Sequence, residues 1–335
     1  MAALKARADR SYHMQLSEIK KLLAKPLAAT DALIDINLEC DVPLITEVCR
    51  HIIESGGKRL RPLLVLIVAA ALSAESPHQV ELASIIEFIH TATLLHDDVV
   101  DNSSLRRGQE TANDIWGNQT SVLVGDFLLS RSFQSMVRIG NMDLLALLSQ
   151  ATNEIAAGEV LQLTKLNKPE TTEADYLAVI TAKTATLFAA AAKGAAILAG
   201  ADKQIQTQLA DYGRNLGIAF QLVDDALDYD AVTDTLGKAV GDDLAEGKPT
   251  LPLIHLLQRG DDATKATVTA AIKHGNRDNL PVILQAIESA GSITYTYDLA
   301  QSYADKARTC LSGLAQGPFL VALESLCDIA VKRVA

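Results

Sequence analysis

Aromatic residues are scarce in this chain, at 4% of 335 residues with a single Trp, and Pro is nearly as sparse at 9. That shortage disfavours strand-rich architectures, and with abundant Ala and Leu it favours helices. The four cysteines, Cys40, Cys49, Cys310 and Cys327, show neither a C-x-x-C spacing nor a paired His. They read as incidental thiols of a reduced protein, not as a disulfide or zinc framework. No basic excess exists: the net charge is −11, which argues against a nucleic-acid partner. Long apolar runs are missing too. The stretch Leu63 to Leu72 is too short to span a bilayer, and Met1 to Tyr12 lacks the apolar core of a signal peptide. Lys5, Arg7 and Arg10 suggest a transit peptide only faintly, beside Asp9. A soluble, cytoplasmic protein is expected.

What the chain does have is 49% hydrophobic and 21% charged residues, a globular balance. Helical periodicity runs throughout. Over 202–228, Leu209, Tyr212, Leu216, Phe220, Val223 and Leu227 form an apolar stripe, with Gly217, Gln221, Asp224 and Asp228 beside it. Over 78–101, Leu82, Ile85 and Ile89 supply the apolar face, while His90, Leu94, Asp97 and Asp101 share another. Further helices are predicted near 14–25, 43–54, 62–74, 119–138, 142–166, 173–200, 249–258, 279–290, 294–314 and 318–333, with no convincing strand alternation. The expected fold is all-α: one domain over 1–335, a single large bundle of antiparallel helices around a central cavity.

Two acidic clusters stand out, Asp97-Asp98-Val99-Val100-Asp101 and Asp224-Asp225-Ala226-Leu227-Asp228. Both have the spacing D-D-x-x-D. Carboxylates four apart on a helix share a face, with Cβ atoms roughly 6 Å apart. One such cluster reads as a solvated helix face. Two, each beside apolar stripes, are costly to bury unless cations neutralise them. Two faces turned on one cavity would offer oxygen-only sites for hard divalent cations, Mg2+ above all.

Ser55 to Pro62 places two glycines with Lys58, Arg59 and Arg61 before a helix. It reads either as solvated cations or as a phosphate site, with Lys as a compact charge, Arg as a bidentate fork and the helix N-terminus behind them. Arg106 and Arg107 follow the first acidic cluster, and His90 lies on the same face seven residues before Asp97, two turns earlier. The segment 230–250, rich in Gly and charge, reads as a functional loop. Lys183, Thr184, Gln221, Lys238 and Lys248 say little individually.

Taken together, GGKRLRP at 56–62, LLHDDVVDNSSLRRG at 94–108, LVGDFLLSRSF at 123–133, KTATLF at 183–188, FQLVDDALDY at 220–229 and GDDLAEGKPTLPL at 241–253 resemble the trans-polyprenyl diphosphate synthases. The match extends over nearly the whole chain. It is most similar to the bacterial octaprenyl subgroup, whose products become quinone side chains. The resemblance implies that Asp97 and Asp101 hold Mg2+ on an allylic diphosphate, farnesyl diphosphate for example, with Asp98 supporting. Asp224, with Asp225 and Asp228 nearby, would hold a further metal on it. Lys58, Arg61, His90 and Arg107 would bind isopentenyl diphosphate, and Arg106, Lys183, Thr184, Gln221, Lys238 and Lys248 would surround the allylic partner. It also implies a homodimer, and small residues at Ala92 and Thr93 imply a long product. Ala189 and Ala226 depart from the family's usual bulkier residues without removing a ligand.

Three other readings compete. A terpene cyclase would carry a different second motif and no GGKRLRP loop. A non-catalytic partner subunit would tend to lack one acidic cluster. A purely structural bundle would bind no diphosphate.

Overall fold

The computed structural model describes residues 13–74, 76–230 and 240–332. Among these the chain is almost entirely helical. Its first half runs α1 (Leu16–Leu22), α2 (Ala24–Leu38), α3 (Pro43–Glu54), α4 (Leu60–Ala71), α5 (Gln79–Val100), α6 (Ala112–Trp116), α7 (Asn118–Ile139) and α8 (Met142–Lys165). A small hairpin, β1 (Leu105–Arg106) and β2 (Gln109–Glu110), lies between α5 and α6. Then come α9 (Glu173–Ile180), a π-helical turn (Thr181–Ala185), α10 (Thr186–Leu198), α11 (Lys203–Leu227) and α12 (Asp242–Ala245). The last third holds α13 (Leu251–Arg259), α14 (Asp262–His274), α15 (Leu280–Ser289), α16 (Ser292–Thr309) and α17 (Pro318–Val331).

Local chemistry explains many of the boundaries. Gly140 ends α7 in the left-handed conformation, and the Asn141 side chain then accepts from the Leu144 N–H to start α8. Thr172 and Asp175 close a capping box on α9. Asp202 caps α11 by accepting from the Ile205 N–H at 2.8 Å.

The bundle is assembled around α4, α5, α10 and α11, with α7 against α5, α8 against α10 and α16 against α11. The largest apolar cluster joins α4, α5, α8, α10, α11 and α17. A second, containing Phe88, Ala92, Leu95, Cys49, Val124 and Leu128, sits between α2, α3, α5 and α7. No described helix is long and apolar enough to cross a membrane.

Several predicted elements needed correction. The helix expected over 14–25 is two helices reaching Leu38, because the apolar residues of α2 spread around it without a stripe. α14 and the short α6 and α12 were not predicted, and α14 is rich in Thr and Ala with weak patterning. The expected helix 173–200 is interrupted by the π turn. The hairpin adds two strands that the sequence did not signal; at two residues a side it is too short for alternation to register. Phe220 and Leu227, expected in the core stripe of α11, pack against the apolar clusters there and also border a cavity.

Candidate active site

A cavity of about 770 Å³ opens between α4, α5, α8, the π turn and α11. Its size falls in the range ordinarily occupied by small-molecule ligands, about 300–1,000 Å³. Asp97, Asp224, Asp225 and Asp228 line it, as do Lys58, Arg61, His90, Arg106, Arg107, Lys183, Thr184, Gln221 and Lys248. Residues drawn from both acidic motifs and both basic sets thus meet in one space. Lys238 lies outside the described residues, as does the middle of the expected loop, 231–239.

The carboxylates of the first motif divide their work. Asp97 faces the cavity, and Lys183 Nζ lies 3.5 Å from its Oδ2. Burial raises the Asp97 pKa, with Lys183 opposing and Asp101 adding to the rise. Asp101, at the C-cap of α5, accepts from Lys248 Nζ at 2.8 Å. Asp98 turns inward. It is 1% exposed and accepts from Arg106 Nε at 3.0 and 3.1 Å and from Nη2 at 2.6 Å. That bidentate clamp fixes the hairpin to α5 and occupies one edge of the Arg106 guanidinium.

The hairpin itself is a tight two-residue turn. Leu105 pairs with Glu110 and Arg106 with Gln109, leaving Arg107 at φ 53° and Gly108 at φ 76°. Both central residues in the left-handed region make a type I′ turn, which suits Gly but strains Arg107. His51 Nε2 donates to Glu110 O at 2.8 Å, and Thr111 Oγ1 to Ser103 O at 2.6 Å, holding the strained turn in place. Arg107 is thereby presented to the basic loop. A Cβ on Gly57 would come within 2.9 Å of Arg107 Nη1.

In the basic set, Arg61 Nη1 lies 3.1 Å from His90 Nε2, and the Arg61 guanidinium sits 4.5 Å from the centre of the Phe188 ring. Arginine offers only donors, so His90 Nε2 accepts and the ring proton sits on Nδ1. Burial, then Arg61, Arg106 and Arg107, push the His90 pKa well below its ordinary value. His90 is therefore a neutral hydrogen-bonding group.

The second motif is wired differently. Asp225 is 6% exposed and accepts from Tyr176 Oη at 2.5 Å and from Gln221 Nε2 at 2.7 Å. Thr184 Oγ1 completes the relay by donating to Gln221 Oε1 at 2.9 Å. Burial, followed by Asp243, raises the Asp225 pKa well above the usual carboxylate range. Asp228 accepts the backbone N–H groups of Asp242 and Asp243, both at 3.1 Å, and so caps α12. Asp224 faces the cavity.

The π turn gives Lys183 and Thr184 their placement. The Thr186 N–H donates to Thr181 O, five residues back, and the widened turn lets both neighbouring side chains face the cavity. Gly158 of α8 permits the approach, since a Cβ there would lie 2.8 Å from Ala182 Cβ and 2.9 Å from Lys183 N.

Three carboxylates that the sequence reading did not single out also line the cavity, Glu87, Glu159 and Asp243. Glu159 accepts from Lys183 Nζ at 2.7 Å, and burial, then Asp97, raises its pKa to about 7. Glu87 is 8% exposed and its Oε2 has no hydrogen-bond partner; burial raises its pKa while Arg59, Arg61 and Arg107 oppose. A Glu embedded in the apolar run Leu82–Ile89 was the signal for Glu87. Glu159 gave none that its own helix could supply. Ala92 is fully buried in the second apolar cluster, whereas Thr93 borders the cavity. Ile52 and Leu94 belong to both, so that cluster adjoins the cavity wall.

Among the described residues, no three of His, Cys, Asp and Glu converge closely enough to hold a metal ion by themselves. Hard oxygen donors nevertheless surround one space. Magnesium-type sites are ordinarily built from one or two carboxylates, with substrate phosphate and water completing the shell. The donor set fits a divalent cation that binds together with a diphosphate.

The polyprenyl synthetase family model matches residues 42–289. Octaprenyl diphosphate synthase of Escherichia coli strain K12 is 48% identical over 321 residues, covering 96% of this chain and 99% of that protein. All-trans-nonaprenyl-diphosphate synthase (geranyl-diphosphate specific) of Rhodobacter capsulatus is 43% identical over 313 residues, covering 93% and 96%. The crystal structure of a polyprenyl synthase from Caulobacter crescentus CB15, complexed with calcium and isoprenyl diphosphate, superposes with a TM-score of 0.92 at 44% identity, covering 96% of this chain and 98% of that one.

Proposed function

The chain belongs to the polyprenyl synthetase family, and from that premise we propose that it extends an allylic diphosphate, farnesyl diphosphate for example, by sequential 1′-4 condensation with isopentenyl diphosphate to octaprenyl diphosphate. It is a prenyltransferase of the long-chain trans type. The higher identity to an octaprenyl than to a nonaprenyl synthase supports eight units. The observation that carries the reading is the convergence of both acidic motifs and both basic sets on one cavity. We read residues 1–335 as one such domain, acting in the cytoplasm and feeding quinone side chains.

Asp97, Asp101 and Asp224 would hold the metal, with Asp98, Asp225 and Asp228 fixing the frame around them. A bound divalent cation, Mg2+ in this reading, neutralises charge on the departing diphosphate. Calcium in the Caulobacter relative supports a divalent ion. Lys183 and Lys248 add positive charge where the leaving group develops its negative charge. The Thr184–Gln221–Asp225–Tyr176 relay orients the wall of the allylic site. Lys58, Arg61 and Arg107 grip the second diphosphate, and neutral His90 orients Arg61. The double bond of isopentenyl diphosphate then attacks the allylic carbon, and the proton it loses passes to the departing diphosphate.

The same reading carries a homodimer. α7 and α8 leave Leu123, Val137, Met142 and Val160 between 61% and 72% exposed, an apolar face suited to a second copy.

The test is chain elongation with farnesyl diphosphate, labelled isopentenyl diphosphate and Mg2+. Asp97→Ala and Asp224→Ala should each lower the rate by about 100-fold or more. Full elongation by both variants would overturn the assignment.

A further inference from the structure

Two ion-pair bridges flank the first acidic motif, and each ends on a glutamate that belongs to neither motif. In one, Lys183 Nζ lies 3.5 Å from Asp97 Oδ2 and donates to Glu159 Oε2 at 2.7 Å. In the other, Lys248 Nζ donates to Asp101 Oδ2 at 2.8 Å and also pairs with Glu246. The lysines come from unrelated places, the π turn and the segment following α12, so the repeated Asp–Lys–Glu arrangement does not follow from one local motif. The six side chains are 15% to 29% exposed. At that depth, stranding a charge costs more than it does at the surface.

A cation that binds Asp97 or Asp101 must first take the carboxylate from an ammonium group. Without a second partner, that ammonium would remain half-desolvated beside a like charge. Each glutamate reduces this penalty, and beside Lys248 the Asp243 carboxylate adds to the effect. Glu159 also has spare capacity: its Oε1 is buried and makes no hydrogen bond, while an ammonium carries three donors.

We propose that Glu159 and Glu246 are positioning residues that retain Lys183 and Lys248 at the cavity wall when Asp97 and Asp101 turn to a divalent cation. Each lysine is thereby kept for the arriving diphosphate. This rests on the synthase reading and adds to it the division of each lysine between a motif aspartate and an outlying glutamate.

The test follows Mn2+ binding by electron paramagnetic resonance on the full chain, with inorganic pyrophosphate present and no turnover. Glu159→Gln should weaken Mn2+ binding about fivefold, and on a Lys183→Met background the same change should alter it by about twofold or less. Glu246→Gln should couple to Lys248→Met in the same way, while the crossed pairs, Glu159 with Lys248 and Glu246 with Lys183, should be additive. An undiminished effect of Glu159→Gln on the Lys183→Met background would overturn the proposal, because Glu159 would then act on the metal directly. So would the absence of any effect in both glutamate variants. Wild-type protein that bound no Mn2+ with pyrophosphate would sink the synthase reading along with it; normal binding without coupling sinks the retention role alone.

Discussion

Burial and three guanidinium neighbours hold His90 neutral, and that fixes what the residue can contribute. The sign of its linkage to pH follows. A depressed native pKa means that the unfolded chain takes up a proton that the native chain refuses, so stability is lost as pH falls through about 6.5. His90→Gln should therefore lose less stability than wild type between pH 7 and pH 5 in parallel thermal unfolding. Equal losses would show that the imidazole is not buried as a neutral group. Gly57 offers a second prediction at this scale. Its added methyl would meet only the far end of Arg107, which can move. Gly57→Ala should leave the melting temperature within a few degrees while raising the KM for isopentenyl diphosphate by about three- to tenfold, since roughly 1 kcal/mol of misplacement has that effect. The acidic motifs and the cations around them were legible as residues. Their partners were not: nothing in D-D-x-x-D says that the middle Asp turns inward to clamp Arg106, or that Glu159 and Glu87 come from other turns to meet the lysine and the arginines.

At the scale of elements, the seam between α10 and α11 decides how closely the two walls of the cavity approach. A Cβ on Gly213 would sit 2.4 Å from Phe188 O and 2.9 Å from Ala189 Cα, and one on Gly217 would sit 2.7 Å from Ala185 Cα. Backbone atoms cannot step aside, so Gly213→Ala should destabilise by about 1–3 kcal/mol, as overpacking of a tight core does, measured by denaturant unfolding. Ala189, noted in the sequence as smaller than the family's usual residue, lies in this same contact. The N-terminus of α9 gives a pH prediction of the opposite origin. The hydrogen bond from Lys165, then those from Thr172, lower the Asp175 pKa to about 2. Its contribution is present above the unfolded value and is lost as pH falls from about 4 toward 2. Asp175→Asn should remove that part of the acid sensitivity. Stripes at helical spacing made α5 and α11 readable. The π turn left no trace in the pattern, because one extra residue in a turn is a response to packing against Gly158 and not a local preference.

For the whole molecule, chain growth is a question of volume. A cavity of about 770 Å³ must take two diphosphates and a lengthening apolar tail. An eight-unit product therefore needs room beyond it, and the apolar cluster that shares Ile52 and Leu94 with the cavity wall is the adjoining space. Thr93→Phe, at the cavity, and Ala92→Phe, within the cluster, should both shorten the product, read by mass spectrometry. An unchanged distribution in both would show that the chain leaves by another route. The exposed apolar face of α7 and α8 carries the assembly prediction: Leu123→Glu combined with Val137→Glu should yield a monomer in sedimentation equilibrium, whereas an intact dimer would place the interface elsewhere.

The sequence by itself determined the helical class, the two carboxylate faces, the basic loop and the family, because these rest on residue types and on spacings within single helices. Tertiary structure alone decided which carboxylates face the cavity and which are consumed in holding it together, which cations pair with which aspartates, and where the apolar wall continues. Those are contacts between segments distant along the chain, and helical periodicity carries no information about what a face will meet.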